Sequence, residues 1–259
     1  MSTALIGSTG FVGGNLLRQT QFDDLYHSAN VEQLAGKSYA RLVCAGAPSL
    51  KWKANREPEN DRRTIQKLMA ALGKVEVAEF ILISTIDVYD DPIGVDEASA
   101  VKPDKMMPYG LHRFELEQFV TARFPRTLIV RLPNLFGDGL KKNPVFDLLH
   151  QHEVHKIHQG GVLQWYGLDR LWADISRARE HGLSLINIAT EPWSTRALAQ
   201  EAFGVTLPDQ LPPPAPRYDF RSRHAALWSG KNGYLYDLST VRAQLLDFVR
   251  RERERVARP

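Results

Sequence analysis

The sequence predicts an α/β protein in which a doubly wound parallel sheet is covered by helices on both faces. Short runs of apolar, β-prone residues alternate along the chain with longer stretches that have helical apolar spacing. The strand-like runs are apolar at successive positions, which is typical of strands buried on both faces. A chain of 259 residues is long enough for one large core with a small additional lobe.

Six strand-like runs and four helical stretches follow one another in order. The predicted strands are TALIG (3–7), DLYHS (24–28), ARLVCAG (40–46), EFILIST (79–85), TLIVRL (127–132) and LSLINIA (183–189). The predicted helices lie near 11–20, 56–73, 109–123 and 169–181. The periodicity weakens after Leu132. We therefore interpret residues 1–135, continued by 166–203, as the core, and residues 136–165 and 204–259 as a reduced lobe and tail interleaved with it.

Composition argues against several classes of protein. Cys44 is the single cysteine, so no internal disulfide or thiolate metal cluster is possible, which fits a reducing, cytoplasmic setting. No apolar run approaches the roughly 20 residues of a membrane span, and the N-terminus enters a strand directly, so we expect no signal peptide. The last ten residues hold five arginines and two glutamates, which equals the whole net charge of +3. The rest is balanced, so no nucleic-acid partner is expected.

A glycine-rich loop follows the first predicted strand and opens the first helix. In such a loop the first glycine permits a tight turn, the second lets the backbone approach a pyrophosphate, and the third lets the helix pack on the strand. The pattern predicts a dinucleotide site, with a purely structural turn as the alternative. The residues predicted to bind the cofactor here are Gly7, Thr9, Gly10, Phe11, Val12 and Gly13.

The end of the second predicted strand bears on the choice of cofactor. An acidic residue there would hold the ribose 2′-hydroxyl of NAD, but the segment reads YHSAN (26–30). Asp23 and Asp24 come at the start of the strand instead. Without a carboxylate, a 2′-phosphate is not repelled, although no arginine follows to bind it. The cofactor is NAD or NADP, with NADP slightly favoured.

The segment PYGLHRF (108–114) contains a candidate acid–base group. Tyr109 and Arg113 are four positions apart on a predicted helix and so share one face. A cation beside a phenol favours the ionised form and lowers its pKa. A positioned phenol can give or take the hydroxyl proton when hydride is transferred to or from a carbinol carbon. An ordinary surface pair is the alternative.

Together these segments resemble the extended short-chain dehydrogenase/reductases, the NAD-dependent epimerase/dehydratase family of nucleotide-sugar enzymes. The resemblance runs from Thr3 to about Phe203. The motifs that carry it are GSTGFVG (7–13), CAGAP (44–48), NDRRT (60–64), STIDVY (84–89), PYGLHR (108–113), RLPNLFG (131–137) and INIAT (186–190).

The resemblance implies a Rossmann-like sheet, an NAD(P) cofactor, a nucleotide-sugar substrate and a homodimer. The family's catalytic tyrosine falls on Tyr109, its Ser/Thr partner on Thr85 and its lysine on Arg113. The further cofactor-binding residues that we assign are Ser28, Ala45, Gly46, Ala47 and Pro133.

Three residues are candidates for substrate contact. The resemblance places Asn134 near the substrate. Asp87 follows Thr85 at a strand end, where a turn-capping role is at least as plausible. Lys51 follows the CAGAP segment at the carboxyl edge of the sheet, where it is either part of an ordinary loop or a clamp for a sugar-nucleotide phosphate.

Three departures from the family pattern matter. Arg113 replaces a lysine that hydrogen-bonds the nicotinamide ribose, and a planar guanidinium is not equivalent to a compact ammonium. Ile86 occupies a position where the dehydratases carry a proton-transferring carboxylate, so dehydration is not expected. Only residues 29–39 separate the second and third predicted strands, where the family usually fits a further strand and helix.

The sequence therefore predicts an NAD(P)-dependent oxidoreductase or epimerase acting at C4 of a nucleotide-activated sugar. Reduction of a 4-keto group is mildly preferred, because epimerisation needs room to present both faces of the ketone. The alternative is a dinucleotide-binding sensor or assembly protein that lost catalysis with the lysine. The histidine-rich segment 150–158 is interpreted as a solvated loop, not a metal site, and no membrane partner is expected.

Overall fold

A computed structural model describes residues 2–208 and 214–257 of the chain. The strands are β1 (Thr3–Ile6), β2 (Asp24–Tyr26), β3 (Ser38–Cys44), β4 (Glu76–Thr85), β5 (Thr127–Leu132), β6 (Asn134–Phe136), β7 (Val162–Leu163), β8 (Trp165–Gly167), β9 (Leu185–Asn187) and β10 (Trp193–Ser194). The α-helices are α1 (Phe11–Leu17), α2 (Lys51–Arg56), α3 (Pro58–Leu72), α4 (Pro108–Arg123), α5 (Pro144–His150), α6 (Leu171–Glu180), α7 (Thr195–Leu198) and α8 (Leu238–Ala257). Within these described residues, no helix has both the length and the apolar character needed to span a bilayer.

The central sheet has six parallel strands in the order β2-β1-β3-β4-β5-β9. From β1 the chain moves out to β2, then returns past β1 to β3 and continues in the opposite direction. Ligands in sheets of this kind bind outside the carboxyl ends of the strands where the order reverses, which here is between β1 and β3. The predicted doubly wound parallel α/β fold is confirmed.

The central strands are apolar because helices cover both of their faces. In β4, Phe80, Ile81 and Leu82 are all buried. Phe80 stacks on Phe124, just after the end of α4, with ring centroids 4.4 Å apart. β-branched and aromatic side chains suit this position because they pack well on a pleated surface. Strand β4 therefore carries its last residue, Thr85, to the carboxyl edge on a rigid support.

The short link between β2 and β3 forms one 3₁₀ turn, Val31–Leu34, in place of a strand and a helix. Val31 and Leu34 are buried in the core. The hydroxyls of Tyr26 and Tyr39 lie 2.7 Å apart, and Tyr39 donates a hydrogen bond to Asp24. The link thus uses buried aliphatic side chains and a small polar network to bring the chain from β2 to β3.

The chain divides into two compact units. The first holds the central sheet and comprises residues up to 91, 98–132 and 169–187; the second comprises 92–97, 133–168 and the residues from 188 onward. Sequence analysis placed 92–97, 133–135, 166–168 and 188–203 with the core, but these segments belong to the second unit. In the longest of them, Trp193 and Ser194 pair with β7, and Leu198 packs in that unit's own apolar cluster.

The second unit has small sheets around a core of aromatic and aliphatic side chains. Strands β6 and β8 pair in parallel, and β7 and β10 pair antiparallel. Trp165, Trp193 and Phe248 are buried in its core. In the segment predicted to be a histidine-rich loop, His152 lies 3.0 Å from Asp147.

Candidate active site

The glycine loop forms the junction between β1, α1 and the end of β3. Gly7 has φ of 87°, and a Cβ there would lie 2.3 Å from the carbonyl oxygen of Ala45. A Cβ on Gly13 would lie 2.1 Å from the carbonyl oxygen of Gly7. Both positions therefore require glycine, because any side chain would push these backbones apart. The close contact places the loop at the β1/β3 switch point.

The surface of this junction fits a dinucleotide. A Cβ on Gly10 would meet only the oxygen of Gly7, at 3.2 Å. Because Gly10 has no side chain, this space stays open, and a ligand can approach the backbone there. Gly10 caps α1 without a side-chain hydrogen bond, which leaves the first amides of the helix available to an anion. Thr9 is exposed, and Phe11 and Val12 are half-buried. These residues fit the pyrophosphate of a dinucleotide.

The turn after β2 lies next to the glycine loop. The Gly7 and Ser8 amides donate to the carbonyl oxygen of Tyr26 at 2.8 and 3.1 Å. Ser28 is exposed at the surface of the turn, and the His27 amide donates to the Asn30 side chain at 2.7 Å. The turn contains no carboxylate, so the preference for NADP over NAD stays a prediction.

The segment after β3 contributes small residues to the same edge. The Ala45 amide donates to the carbonyl oxygen of Ile6 at 2.9 Å, which extends the pairing of β1 with β3. A Cβ on Gly46 would lie 2.7 Å from a methyl group of Ile6. Ala45, Gly46 and Ala47 have small side chains or none. They therefore leave room for a ligand along this edge of the sheet.

Thr85 and Tyr109 meet at the carboxyl end of β4. Thr85 caps the 3₁₀ turn Ile86–Val88 by accepting a hydrogen bond from the Asp87 amide at 3.2 Å, and its hydroxyl donates to the Asp87 carboxylate at 3.4 Å. Thr85 also lies close enough to the Tyr109 phenol to lower the pKa of that group. Tyr109 lies in the first turn of α4, where its amide donates to Asn55 at 2.9 Å. The turn-capping role considered for Asp87 thus belongs to Thr85.

Gly110 explains how α4 comes so close to this turn. A Cβ on Gly110 would lie 2.0 Å from the carbonyl oxygen of Asp87, so the helix and the turn are in backbone contact. Sequence analysis did not identify this glycine as part of the site. Its position directly after Tyr109 means that the close contact also fixes the phenol beside Thr85.

Arg113 is held in the interior of the first unit. Its side chain is buried, and its two terminal nitrogens donate to the two carboxylate oxygens of Asp61 at 2.5 and 2.9 Å. The same nitrogens donate to the carbonyl oxygens of Tyr109, at 3.1 Å, and Pro48, at 2.5 Å. The guanidinium carbon lies 4.0 Å from the centroid of the Tyr109 ring. Arg113 therefore joins α4 to α3 and to the segment after β3.

One nitrogen of Arg113 differs from the others. Nε is buried and has no hydrogen-bond partner among the described residues. A buried, unsatisfied donor costs free energy unless a ligand or water satisfies it. The Nε–H of Arg113 is thus a donor that a polar group of a bound ligand would satisfy.

The pKa of Tyr109 is raised above its ordinary value. Burial is the largest cause, since it disfavours the phenolate; Arg113 lowers the pKa, Asp87 raises it, and Lys51 and the hydrogen bond with Thr85 lower it. Sequence analysis expected Arg113 to make the proton easier to remove. The effect of Arg113 has the predicted direction, but the net expectation was wrong because burial outweighs it.

Asp61 and His112 complete the buried cluster around Arg113. His112 Nδ1 lies 2.7 Å from the Asp61 carboxylate. Burial raises the pKa of Asp61, but the hydrogen bonds from Arg113 and His112 outweigh it and hold the pKa below its ordinary value. Sequence analysis missed both residues. One signal was available in the sequence. The NDRRT motif contains an acidic residue, Asp61, and an arginine, Arg113, stands at the position of the family lysine.

The three predicted substrate residues, and Pro133, which is predicted to contact the cofactor, lie in different units. Lys51 Nζ and the Asp87 carboxylate form an ion pair at 2.7 Å in the first unit, next to an exposed Trp52. Pro133 and Asn134 belong to the second unit, where the Asn134 side chain donates to the carbonyl oxygen of Gln164 at 3.2 Å. The roles of all four in binding stay predictions.

Sequence comparison gives no relative for this chain. No protein-family model matches it. No curated protein matches it either.

Solved structures similar to this chain over nearly its whole length include three sugar-nucleotide proteins. A dTDP-4-dehydrorhamnose reductase from Clostridium acetobutylicum has 18% identity and a TM-score of 0.73, covering 96% of this chain and 100% of that one. MoeE5 in complex with UDP-glucuronic acid and NAD has 15% identity and a TM-score of 0.73, covering 97% and 100%. A UDP-glucose 4-epimerase from Thermotoga maritima, solved with UDP-glucose, has 17% identity and a TM-score of 0.70, covering 99% and 100%.

At these identities the likeness concerns the fold. It extends over almost all of each chain, which a shared central sheet alone would not produce. The predicted resemblance to the extended short-chain dehydrogenase/reductases is therefore confirmed in the fold of this chain.

Proposed function

We propose that this protein is an NAD(P)-dependent oxidoreductase that reduces a 4-keto group on a nucleotide-activated sugar. The observation that carries the proposal is geometric: Gly110 brings the first turn of α4, which carries Tyr109, into backbone contact with the 3₁₀ turn that Thr85 caps at the carboxyl edge of the sheet. The glycine loop at the β1/β3 junction supports a dinucleotide at the same edge. The fold shared with sugar-nucleotide reductases and epimerases supports the substrate class.

The protonation state of Tyr109 favours reduction as the direction. A phenol has an ordinary pKa of about 10, so Tyr109 carries its proton at neutral pH, and burial raises that pKa further. Reduction of a ketone needs a proton donor at the developing alkoxide, whereas oxidation of an alcohol needs a base. Tyr109 is thus suited to the donating role.

Each residue of the site has an assigned part in that reaction. A bound reduced nicotinamide would supply the hydride for the carbonyl carbon of C4. Tyr109 gives its phenolic proton to the carbonyl oxygen, so the ketone becomes a secondary alcohol. Thr85 holds that oxygen in line with the phenol. The buried Nε–H of Arg113 is the donor that we assign to a hydroxyl of the cofactor ribose.

The remaining predicted residues are assigned to the substrate. Lys51 carries the charge that would face a sugar-nucleotide phosphate, and Asp87 is its partner at 2.7 Å. Asn134 is assigned to the sugar and Pro133 to the nicotinamide. Ile86 cannot transfer a proton, so we do not assign a dehydratase activity like that of other relatives of this fold.

The cellular setting is also proposed. Cys44 is a free, buried thiol, which agrees with a cytoplasmic protein. We propose a homodimer, as the family resemblance implies, with NADP preferred over NAD.

The function is tested by mixing the purified protein with NADPH or NADH and a panel of nucleotide-4-ketosugars. We expect the absorbance of the reduced nicotinamide to fall and a secondary alcohol to appear by chromatography. The Tyr109→Phe variant keeps the ring but lacks the proton, so its rate should fall by about 10²–10⁴-fold. Absence of turnover for the whole panel would contradict the proposal, as would a Tyr109→Phe variant as fast as the wild type.

One observation favours a second candidate, a dinucleotide-binding sensor or assembly protein. Both terminal nitrogens of Arg113 are bound to Asp61, so the cation is not available in the way a lysine would be. Calorimetry separates the two candidates. Dinucleotide binding without turnover on any sugar of the panel would favour the sensor.

A further inference from the structure

Asp61 has no part in the reaction assigned above, yet it is a carboxylate in the interior of the first unit. Only 6% of its surface is exposed. It accepts hydrogen bonds from both terminal nitrogens of Arg113 and lies 2.7 Å from His112. A buried carboxylate is costly unless it is paired, so its presence beside the site needs an explanation.

We infer that Asp61 is a positioning residue that sets the proton affinity of Tyr109 by neutralising Arg113. This inference rests on the function proposed above, in which Tyr109 must donate its proton. Asp61 acts through the guanidinium and does not contact the reacting atoms.

The geometry supports this role because one guanidinium group contacts both residues. Its terminal nitrogens are bound to Asp61, and its carbon lies 4.0 Å from the centre of the Tyr109 ring. A lone buried cation at that distance would favour the phenolate strongly. A bidentate ion pair has little net charge, so its field at the phenol is much weaker. Asp61 therefore lets an arginine replace the family lysine without taking the proton from Tyr109.

The other charged groups near the phenol are also paired. Lys51 and Asp87 act on the pKa of Tyr109 in opposite directions and lie 2.7 Å apart in an ion pair. Thr85 is the uncharged partner from β4, and His112 reaches the phenol only through Asp61 and Arg113. Two ion pairs thus flank Tyr109, whose side chain is half-buried, and desolvation of the phenol is the largest cause of its raised pKa.

The inference is tested by titrating Tyr109 directly, without turnover. The wild type and the Asp61→Asn variant are labelled with ¹³C at the tyrosine ring carbon that bears the hydroxyl, and Tyr109→Phe assigns the signal. We expect the Tyr109 pKa to fall by about one to two units in Asp61→Asn, because Arg113 is left unneutralised. Arg113→Gln leaves Asp61 without its cationic partner, with His112 still beside it, and should raise the Tyr109 pKa. The double variant should return the Tyr109 pKa close to the wild-type value.

A matched control is Glu79→Gln. Glu79 also accepts two hydrogen bonds from one arginine, Arg179, at 2.8 and 2.9 Å. It lies six residues before Thr85 in β4, which corresponds to about 20 Å along a strand, so the Tyr109 pKa should not change. If Asp61→Asn does not fold, Arg113→Gln tests the same coupling with the opposite sign.

An unchanged Tyr109 pKa in folded Asp61→Asn, or in folded Arg113→Gln, would overturn the inference. With an active enzyme, the alkaline limb of the pH–rate profile for reduction should move to lower pH in Asp61→Asn and return with Asp61→Glu. Failure of the proposed function is a separate result, because the wild type would then show no turnover while the NMR titration still reports the coupling.

Discussion

Helix α4 carries one partner of each of two buried arginine–carboxylate pairs, and the two pairs are not alike. Arg113 in α4 binds Asp61 in α3, whereas Glu117 in α4 binds Arg131 in β5. All four side chains are buried. The pairs lie one helical turn apart and differ in how completely the guanidinium is satisfied.

In the Arg131 pair every guanidinium nitrogen has a partner. Nε and Nη2 donate to Glu117 at 3.0 and 2.5 Å, and Nη1 donates to the Tyr89 hydroxyl at 2.8 Å. In the Arg113 pair, Nε has none among the described residues. A fully satisfied pair fixes α4 against the sheet. The Arg113 pair leaves one buried donor, Nε, that no described residue satisfies, and the proposed function assigns this donor to a cofactor hydroxyl.

The largest expected effect comes from removing each arginine in turn. Arg131→Met leaves Glu117 buried without its ion-pair partner, so we expect a loss of about 3–5 kcal/mol in the free energy of unfolding. Arg113→Met leaves Asp61 with His112 still bound, so the loss should be smaller, about 2 kcal/mol, but dinucleotide affinity should fall. Urea denaturation and calorimetry measure the two quantities. Equal effects of the two variants on affinity would contradict the distinction.

A smaller effect is expected from Gly110→Ala. This variant tests whether the backbone contact between the first turn of α4 and Asp87 holds Tyr109 in place. The new methyl group would lie 2.0 Å from the Asp87 carbonyl oxygen, so α4 must move and stability should fall by about 1–3 kcal/mol. Reductase activity should fall as Tyr109 leaves Thr85.

The control for this helix substitution is Gly14→Ala in α1. Its Cβ would meet only the Arg18 side chain, at 3.8 Å, so we expect unchanged or slightly raised stability. Wild-type stability and rate for Gly110→Ala would show that the contact with Asp87 does not fix the site.

The smallest expected effect is on the acid side of the pH–stability curve. The pKa of Asp61 is lowered in the folded protein, so the unfolded chain binds its proton more readily. The stability that this group contributes is present above its unfolded pKa of about 3.9 and is lost as pH falls through the folded value. As pH falls from about 5 to about 2, the thermal unfolding temperature should drop more steeply for the wild type than for Asp61→Asn. Parallel curves would argue against a contribution from Asp61.

The sequence predicted the parts of this molecule that are local in the chain. The strands of the central sheet were predictable because burial on both faces produces continuous apolar runs. The glycine loop, Thr85 and Tyr109 were predictable because each belongs to a short motif next to one of those strands. Strands β6, β7, β8 and β10 are two or three residues long, too short for a periodic pattern, so the boundary of the second unit was not predictable.

The parts of the site that sequence reasoning missed depend on contacts across the fold. Asp61 and Arg113 are 52 residues apart, and nothing in the spacing indicates that α3 and α4 bring them together. Gly110 matters because of a backbone oxygen of Asp87, which no side-chain pattern indicates. The net pKa of Tyr109 depends on the balance between burial, which raises it, and nearby charges. The sequence shows which charged residues are present but not how deeply the phenol is buried.

The short link between β2 and β3 determines which strand forms this edge of the central sheet. Because no further strand follows there, β2 is the outermost strand of the sheet, and a long exposed edge would invite pairing with another chain. This edge is three residues long, with Lys37 and Asp24 ion-paired beside it at 3.0 Å. So short an edge leaves little unpaired backbone on which an incoming strand could extend the sheet.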